Sequence, residues 1–254
     1  AVKLQYKAFV KDLYEQGDTQ AMKILAWSYY EGSILYKQSF RQAEKFFILA
    51  YEGNVTEKKY FEDLRLSALF NNSGTIETIA LKKGKSDGNS PLDVKRLLST
   101  AKADYNFKAS DEFWLIVDRD NWEDIHHVDF NALYEDCCRE GNFFMALSNP
   151  CFEIWLILHL RKCSDISEED KLKLMANARI SDKHTFIDSY LSDCIGNGRG
   201  YNKRPLPAIF LPRVNDAIAN AKEIRKPDEK YPLGLGTDVY KLVEKLINST
   251  VSAL

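Results

Sequence analysis

Four short apolar runs set the fold: "FFILAY" at 46–51, "TIETIAL" at 75–81, "EFWLIVD" at 112–118 and "FFMALS" at 143–148. Between them lie segments whose apolar residues recur at helical spacing. Runs this short are the length of strands, and they are rich in aromatic and branched side chains. Strands that are apolar on both faces must be covered on both faces, and helices of 10 to 15 residues between them provide the cover. Strand and helix in alternation therefore predict an α/β domain with a largely parallel sheet of four strands.

The helices between the strands carry their own punctuation. "VTEKKYFEDLRLSALF" has Thr56 near its start, with Tyr60, Phe61, Leu64 and Leu69 expected on its inner side. Ser90 and Pro91 open "PLDVKRLLSTAKADYN" in the manner of a capped helix, and Gly141 is placed to close "DFNALYEDCCREG". Beyond Pro150 the pattern is almost wholly helical: "CFEIWLILHL", "SEEDKLKLMANARI", "SDKHTFIDSYLSDCI", "LPRVNDAIANAKEI" and "TDVYKLVEKLINS". The chain divides into a helical N-terminal segment over 1–40, an α/β core over 41–160 and a helical C-terminal cap over 161–254.

The first segment raises an ambiguity. "EQGDTQAMKILAWSYYEGS" and "QAEKFFILAYEGN" resemble short helical repeats of the Sel kind, which would make residues 41–51 a helix. Repeat arrays need roughly three units to bury their faces, and nothing downstream continues the period. The β-rich composition of "FFILAY" favours the strand.

Composition narrows the function classes. The net charge of −2 gives the chain as a whole no attraction for a polyanion, so nucleic acid would have to be met by a local basic surface or a basic partner. Lys82, Lys83 and Lys85 in one loop, and Arg199, Lys203 and Arg204 in another, are candidates for guiding a polyanion; equally, they are ordinary solvated loop residues. No window reaches the ~18 apolar residues of a membrane span, and the first residues lack the pattern of a signal peptide. Five cysteines without C-x-x-C spacing argue against a disulfide framework or zinc site and for buried thiols in a reducing cytoplasm. The chain has no "GxxxxGK[ST]" phosphate loop, so ATP hydrolysis of that kind is not expected.

The chemistry lies in the acids that follow the strands. Glu52 and Gly53 follow the first, Asp118 and Asp120 the third, and Glu153 comes shortly after the fourth in "SNPCFE". Ligands of open parallel sheets lie beyond the carboxyl ends of the strands. If the strands are parallel neighbours, the acids converge there. In an extended segment Asp118 and Asp120 point the same way while Arg119 faces elsewhere.

Several carboxylates around one pocket stay ionised only with cations among them, and oxygen donors with room for water suit Mg²⁺ or Mn²⁺. Two such ions activate water and stabilise the leaving oxygen in phosphodiester cleavage. Taken singly, each acid has a plainer reading as a helix cap, a turn former or, for Glu57, a favourable charge at a helix N-terminus. It is the combination that points to metal.

"FILAYEGNVTEKKYF", "WLIVDRDN", "ALSNPCFEIWLILHL" and "GTDVYKLVEKL", taken in order between about residue 40 and residue 248, resemble the RloB-like family. These are bacterial proteins often encoded beside restriction systems or ATPases and linked to anti-phage defence. The acid-glycine and Asp-x-Asp elements also resemble the Toprim domain of topoisomerases, primases and OLD nucleases. The resemblance implies a Toprim-like core with Glu52, Asp118 and Asp120 as the catalytic, metal-binding set. Glu57 resembles the second glutamate of the OLD-type element, and Glu153 would complete a second metal site. Asn149, His159 and Lys59 are possible supporting residues; His159 also reads as a packed helix histidine and Lys59 as a solvated one.

The implied activity is a cytoplasmic, metal-dependent nuclease acting on DNA or RNA in phage defence by abortive infection, with two ions and a partner ATPase. The alternative is a non-catalytic binding or regulatory subunit of a defence complex, docking through repeat-like helices. Family members usually precede the first strand with a short basic tail, and the helical segment here departs from that pattern.

Overall fold

The computed structural model describes residues 45–53, 55–70, 76–81, 88–104, 107–182, 184–196 and 206–248. The expected N-terminal helices, and the basic residues Lys82, Lys83, Lys85, Arg199, Lys203 and Arg204, lie outside them.

In chain order the strands are β1 (Lys45–Tyr51), β2 (Ile76–Ala80), β3 (Glu112–Asp118), β4 (Phe143–Asn149) and β5 (Gly236–Thr237). The α-helices are α1 (Thr56–Leu66), α2 (Pro91–Asp104), α3 (Phe130–Glu140), α4 (Glu153–Leu158), α5 (Glu168–Ala176), α6 (Phe186–Ile195), α7 (Val214–Ile224) and α8 (Val239–Asn248). The sheet order is β2-β1-β3-β4-β5. The first four strands are parallel, and β5 joins antiparallel through Ser148↔Thr237 and Asn149↔Gly236.

This is the expected α/β architecture, with five strands instead of four. β5 is two residues long and carries no apolar run, so it exists only because β4 offers an edge to pair with. Residues 45–51 form a strand, which resolves the repeat ambiguity.

Side chains alternate along each strand and divide the core in two. Phe47, Leu49, Tyr51, Trp114, Ile116 and Ala146 pack on one face with Tyr60, Phe61 and Leu64 of α1 and with α4, α6, α7 and α8. Ile48, Ala50, Phe113, Leu115, Val117, Met145 and Leu147 pack on the other with α2 and α3. Each large side chain so buried stabilises the fold by roughly 2 kcal/mol. The C-terminal helices thus share one continuous core with a face of the sheet.

The helix ends follow local chemistry. Ser90 and Asp93 bond reciprocally at the start of α2, the Asp129 carboxylate accepts the Ala132 N–H at 2.9 Å, and Gly141 closes α3 at φ 77°. One inner position expected for α1 is misplaced. The helix stops at Leu66 because Ser67 is extended and its hydroxyl donates to the Leu64 carbonyl. Leu69 therefore lies beyond the helix, 37% exposed, and Phe70 is buried instead. Among the described residues no helix is long and apolar enough to cross a membrane.

Candidate metal centre at the strand ends

The strand order places β2 on one side of β1 and β3 on the other, so the chain reverses direction across the sheet between β1 and β3. At such a point the connections leave on opposite faces and open a crevice beyond the carboxyl ends. Glu52 follows β1, Asp118 ends β3, and Glu153 opens α4 a few residues after the end of β4. The acids named from sequence are brought to one rim.

Their arrangement is set by the backbone. The Glu52 amide continues the ladder to the Ile116 carbonyl at 2.9 Å. Its carboxylate turns back across β3, where Oε2 accepts the Asp118 N–H at 3.0 Å and Oε1 accepts the Trp122 indole N–H at 2.6 Å. Glu57, only 5% exposed, folds over Gly53 and accepts its N–H at 2.9 Å. A Cβ on residue 53 would stand 2.2 Å from the Glu57 carboxylate, so any larger residue would displace that side chain from the Gly53 N–H.

Asp120 differs from expectation. Its backbone has φ 33°, so the chain leaves the extended conformation after Asp118, and shared direction with Asp118 does not follow from strand geometry. The turn is fixed instead by two bonds, one to the end of β4 and one to the residue after it: Arg119 N–H to the Ser148 carbonyl and Asp120 N–H to the Pro150 carbonyl, both 2.8 Å. Arg119 does face elsewhere, to Glu123 and to the Leu233 carbonyl. Asp120 itself is exposed.

The electrostatics are those of crowded anions. Burial first, then Glu57, Glu52, Glu153 and Asp120, push the Asp118 carboxyl well above its usual range. Glu57 is pushed up to about 7, by burial and then by Glu153, with Glu52 adding and the Gly53 N–H opposing. Asp120, exposed as a residue, is raised by partial desolvation of its carboxyl and by Glu153. Each of the charged groups raising Asp118 is another carboxylate.

The donor set, all oxygen and sharing one electrostatic site, fits a hard divalent cation in kind. It is not preassembled: among the described residues no three His, Cys, Asp or Glu side chains stand in ligating geometry. Like charges this close separate and take N–H donors, which is what Glu52 and Glu57 do.

The supporting residues fall elsewhere. His159 is 2% exposed and belongs to the core. Its Nδ1 lies 2.8 Å from the Trp155 carbonyl and therefore carries the proton, which leaves Nε2 to accept from the Tyr60 hydroxyl at 3.1 Å. Burial lowers its pKa to about 3. Lys59 pairs with Asp63 at 2.6 Å on α1. Asn149 is an anchor: its amide donates to the Leu233 carbonyl at 2.9 Å, the same oxygen that receives Arg119 at 2.8 Å.

A family model described as RloB-like protein matches residues 47–246. The chain belongs to the RloB-like family. In this RloB-like protein Glu52, Glu57, Asp118, Asp120 and Glu153 all fall inside the matched stretch. No curated protein and no solved structure matches the chain.

Two residues at the RloB-like site escaped the sequence reading. Trp122 has a signal of a kind, an indole donor four residues after Asp118. Cys151 beside Glu153 had only a generic reading as a buried thiol. Its pKa is driven well above normal by burial, then by Glu153 and Asp118, so it remains a protonated thiol that donates toward Glu153.

Proposed function

We propose that this RloB-like protein is a metal-dependent nuclease with a Toprim-like active centre. One observation carries the reading: acids that follow three parallel strands, Glu52, Asp118 and Glu153, lie on one rim of the sheet, and the charged groups that raise Asp118 are all anionic. Such a site is unfavourable until positive charge enters it.

Glu52, Asp118 and Asp120 are the principal ligands in this reading, with Glu57 and Glu153 completing a second position for Mg²⁺ or Mn²⁺. Bound there, the ions would supply charge for the phosphate and a more acidic water. The chain's own groups define the rest. The Asp118 amide orients Glu52. Burial and Glu153 raise Glu57 to about 7 while no cation is bound, so it would give up its proton as a cation enters. The resemblance to defence proteins supports a role in abortive infection, with a partner ATPase that supplies control and, given a net charge of −2, part of the affinity for DNA or RNA.

The test is cleavage of single- and double-stranded DNA and RNA with Mg²⁺ or Mn²⁺. Glu52→Ala and Asp118→Ala are expected to lower the rate at least ~10²-fold while unfolding stays cooperative. Cleavage that survives both changes sinks the reading.

A second reading, a non-catalytic subunit of a defence complex, draws support from the N–H donors already holding Glu52 and Glu57. It is distinguished by calorimetry that finds no divalent-ion binding.

A further inference from the structure

Glu52 is gripped by a residue outside the acidic set. The Trp122 indole N–H meets one carboxylate oxygen at 2.6 Å, and the Asp118 amide meets the other at 3.0 Å. A free glutamate explores many rotamers, and ordering it has an entropic cost. One donor on each oxygen fixes both the position and the plane of the carboxylate.

Trp122, partly buried, is itself held by backbone bonds and by packing. Its amide donates to the Arg119 carbonyl at 3.1 Å, its carbonyl accepts the Val128 N–H at 3.0 Å, and its ring packs at the edge of the α2–α3 core. His126 lies over the indole with ring centroids 4.7 Å apart. The turn that carries it is tied to the rest of the chain through Arg119, whose guanidinium reaches Glu123 and the Leu233 carbonyl. Asn149 at the end of β4 bonds the same carbonyl. The loops after β3 and β4 are thus fastened to one point, and the indole N–H projects from that frame onto Glu52.

We propose that Trp122 is a positioning residue that orients Glu52 toward a divalent cation, an inference that rests on the metal-dependent reading above. It acts through Glu52 and need not touch substrate. An N–H donor behind a ligating carboxylate is worth about 10- to 100-fold in metal affinity when such partners are removed elsewhere. Packing alone would give a different signature, because phenylalanine keeps an aromatic ring against His126 and the core and lacks only the N–H.

The experiment is a Mn²⁺ titration of the full chain, followed by electron paramagnetic resonance, for wild type, Trp122→Phe, Glu52→Gln and the double variant. The expected result is roughly tenfold weaker binding by Trp122→Phe, with metal-free thermal unfolding close to wild type. The double variant should bind no more weakly than Glu52→Gln alone, since the indole then has no carboxylate to orient. Wild-type affinity in Trp122→Phe, or losses that simply add, overturns the proposal while leaving the metal site standing. Failure of the wild-type chain to bind Mn²⁺ removes both.

A measurement free of any Trp122 variant guards against misfolding. Mg²⁺ should move the Trp122 indole N–H resonance of the wild-type chain, and Glu52→Gln should abolish that movement. A resonance that Mg²⁺ leaves in place counts against the assignment.

Discussion

Glu112 and Glu57 are both buried, and their partners send them in opposite directions. Burial pushes Glu112 up, but Lys45 at 2.6 Å, Lys245 at 2.9 Å and the Trp114 indole at 2.8 Å outweigh it and hold the carboxyl below its ordinary value. Glu57 has carboxylate neighbours and rises to about 7. The consequences for stability have opposite signs. Glu112 contributes stability above its unfolded pKa, lost as pH falls through the folded value. Glu57 contributes stability below its unfolded pKa near 4.5, lost as pH rises through about 7. The loss is on the order of 3 kcal/mol for a shift of that size. Glu57→Gln, which keeps an acceptor for the Gly53 N–H, should therefore raise the metal-free denaturation midpoint at pH 8 and leave it nearly unchanged at pH 4.5. Urea titrations in chelator at the two pH values check this, and equal effects at both would remove the crowding argument. The residue types and their spacing were visible in the sequence. That Glu112 has two lysines while Glu57 has carboxylate neighbours was not, because Lys245 is 133 positions from Glu112.

At the scale of elements, what succeeded from sequence was what is decided within a few residues. Ser90 and Gly141 cap helices through bonds three residues away, so their roles are written locally; the Asp129 cap, equally local, was not read. Asp129→Ala should cost about 1 kcal/mol, read as a lower denaturant midpoint at unchanged slope. Because Asp129 precedes α3 on the face away from α4, its loss should leave Mn²⁺ affinity alone. What failed was decided across the chain. Two-residue β5 forms on the β4 edge, with the Ser148 and Thr237 hydroxyls 2.8 Å apart, and no periodicity announces it. Asp120 takes a left-handed backbone because the Pro150 carbonyl, thirty positions on, captures its N–H. Extending the strand rule past Asp118 ignored that competitor.

Across the whole molecule, anions are handled differently at the two ends of the sheet. At the amino ends, Glu112 joins β1, β3 and α8 through lysines that also lie over aromatic rings, Lys45 over Phe47 and Lys245 over Phe144. At the carboxyl ends, the acids lean on N–H donors and raise one another. Glu112→Gln should lower stability by about 2 kcal/mol, a figure reduced by the partial exposure of both lysines, and leave Mn²⁺ binding intact. Glu52→Gln should do the reverse. Chemical denaturation beside metal titration for both variants separates a structural carboxylate from a functional one. The sequence by itself determined the alternation of strands and helices, the helix caps and which acids follow which strands, because these depend on period and on near neighbours. Only the tertiary structure decided that β1, β3 and β4 are parallel neighbours in that order, that Gly53 yields its space to Glu57 and that Trp122 reaches Glu52. Those facts depend on which distant segments share a core, and burial, having no direction along the chain, leaves no local mark of it.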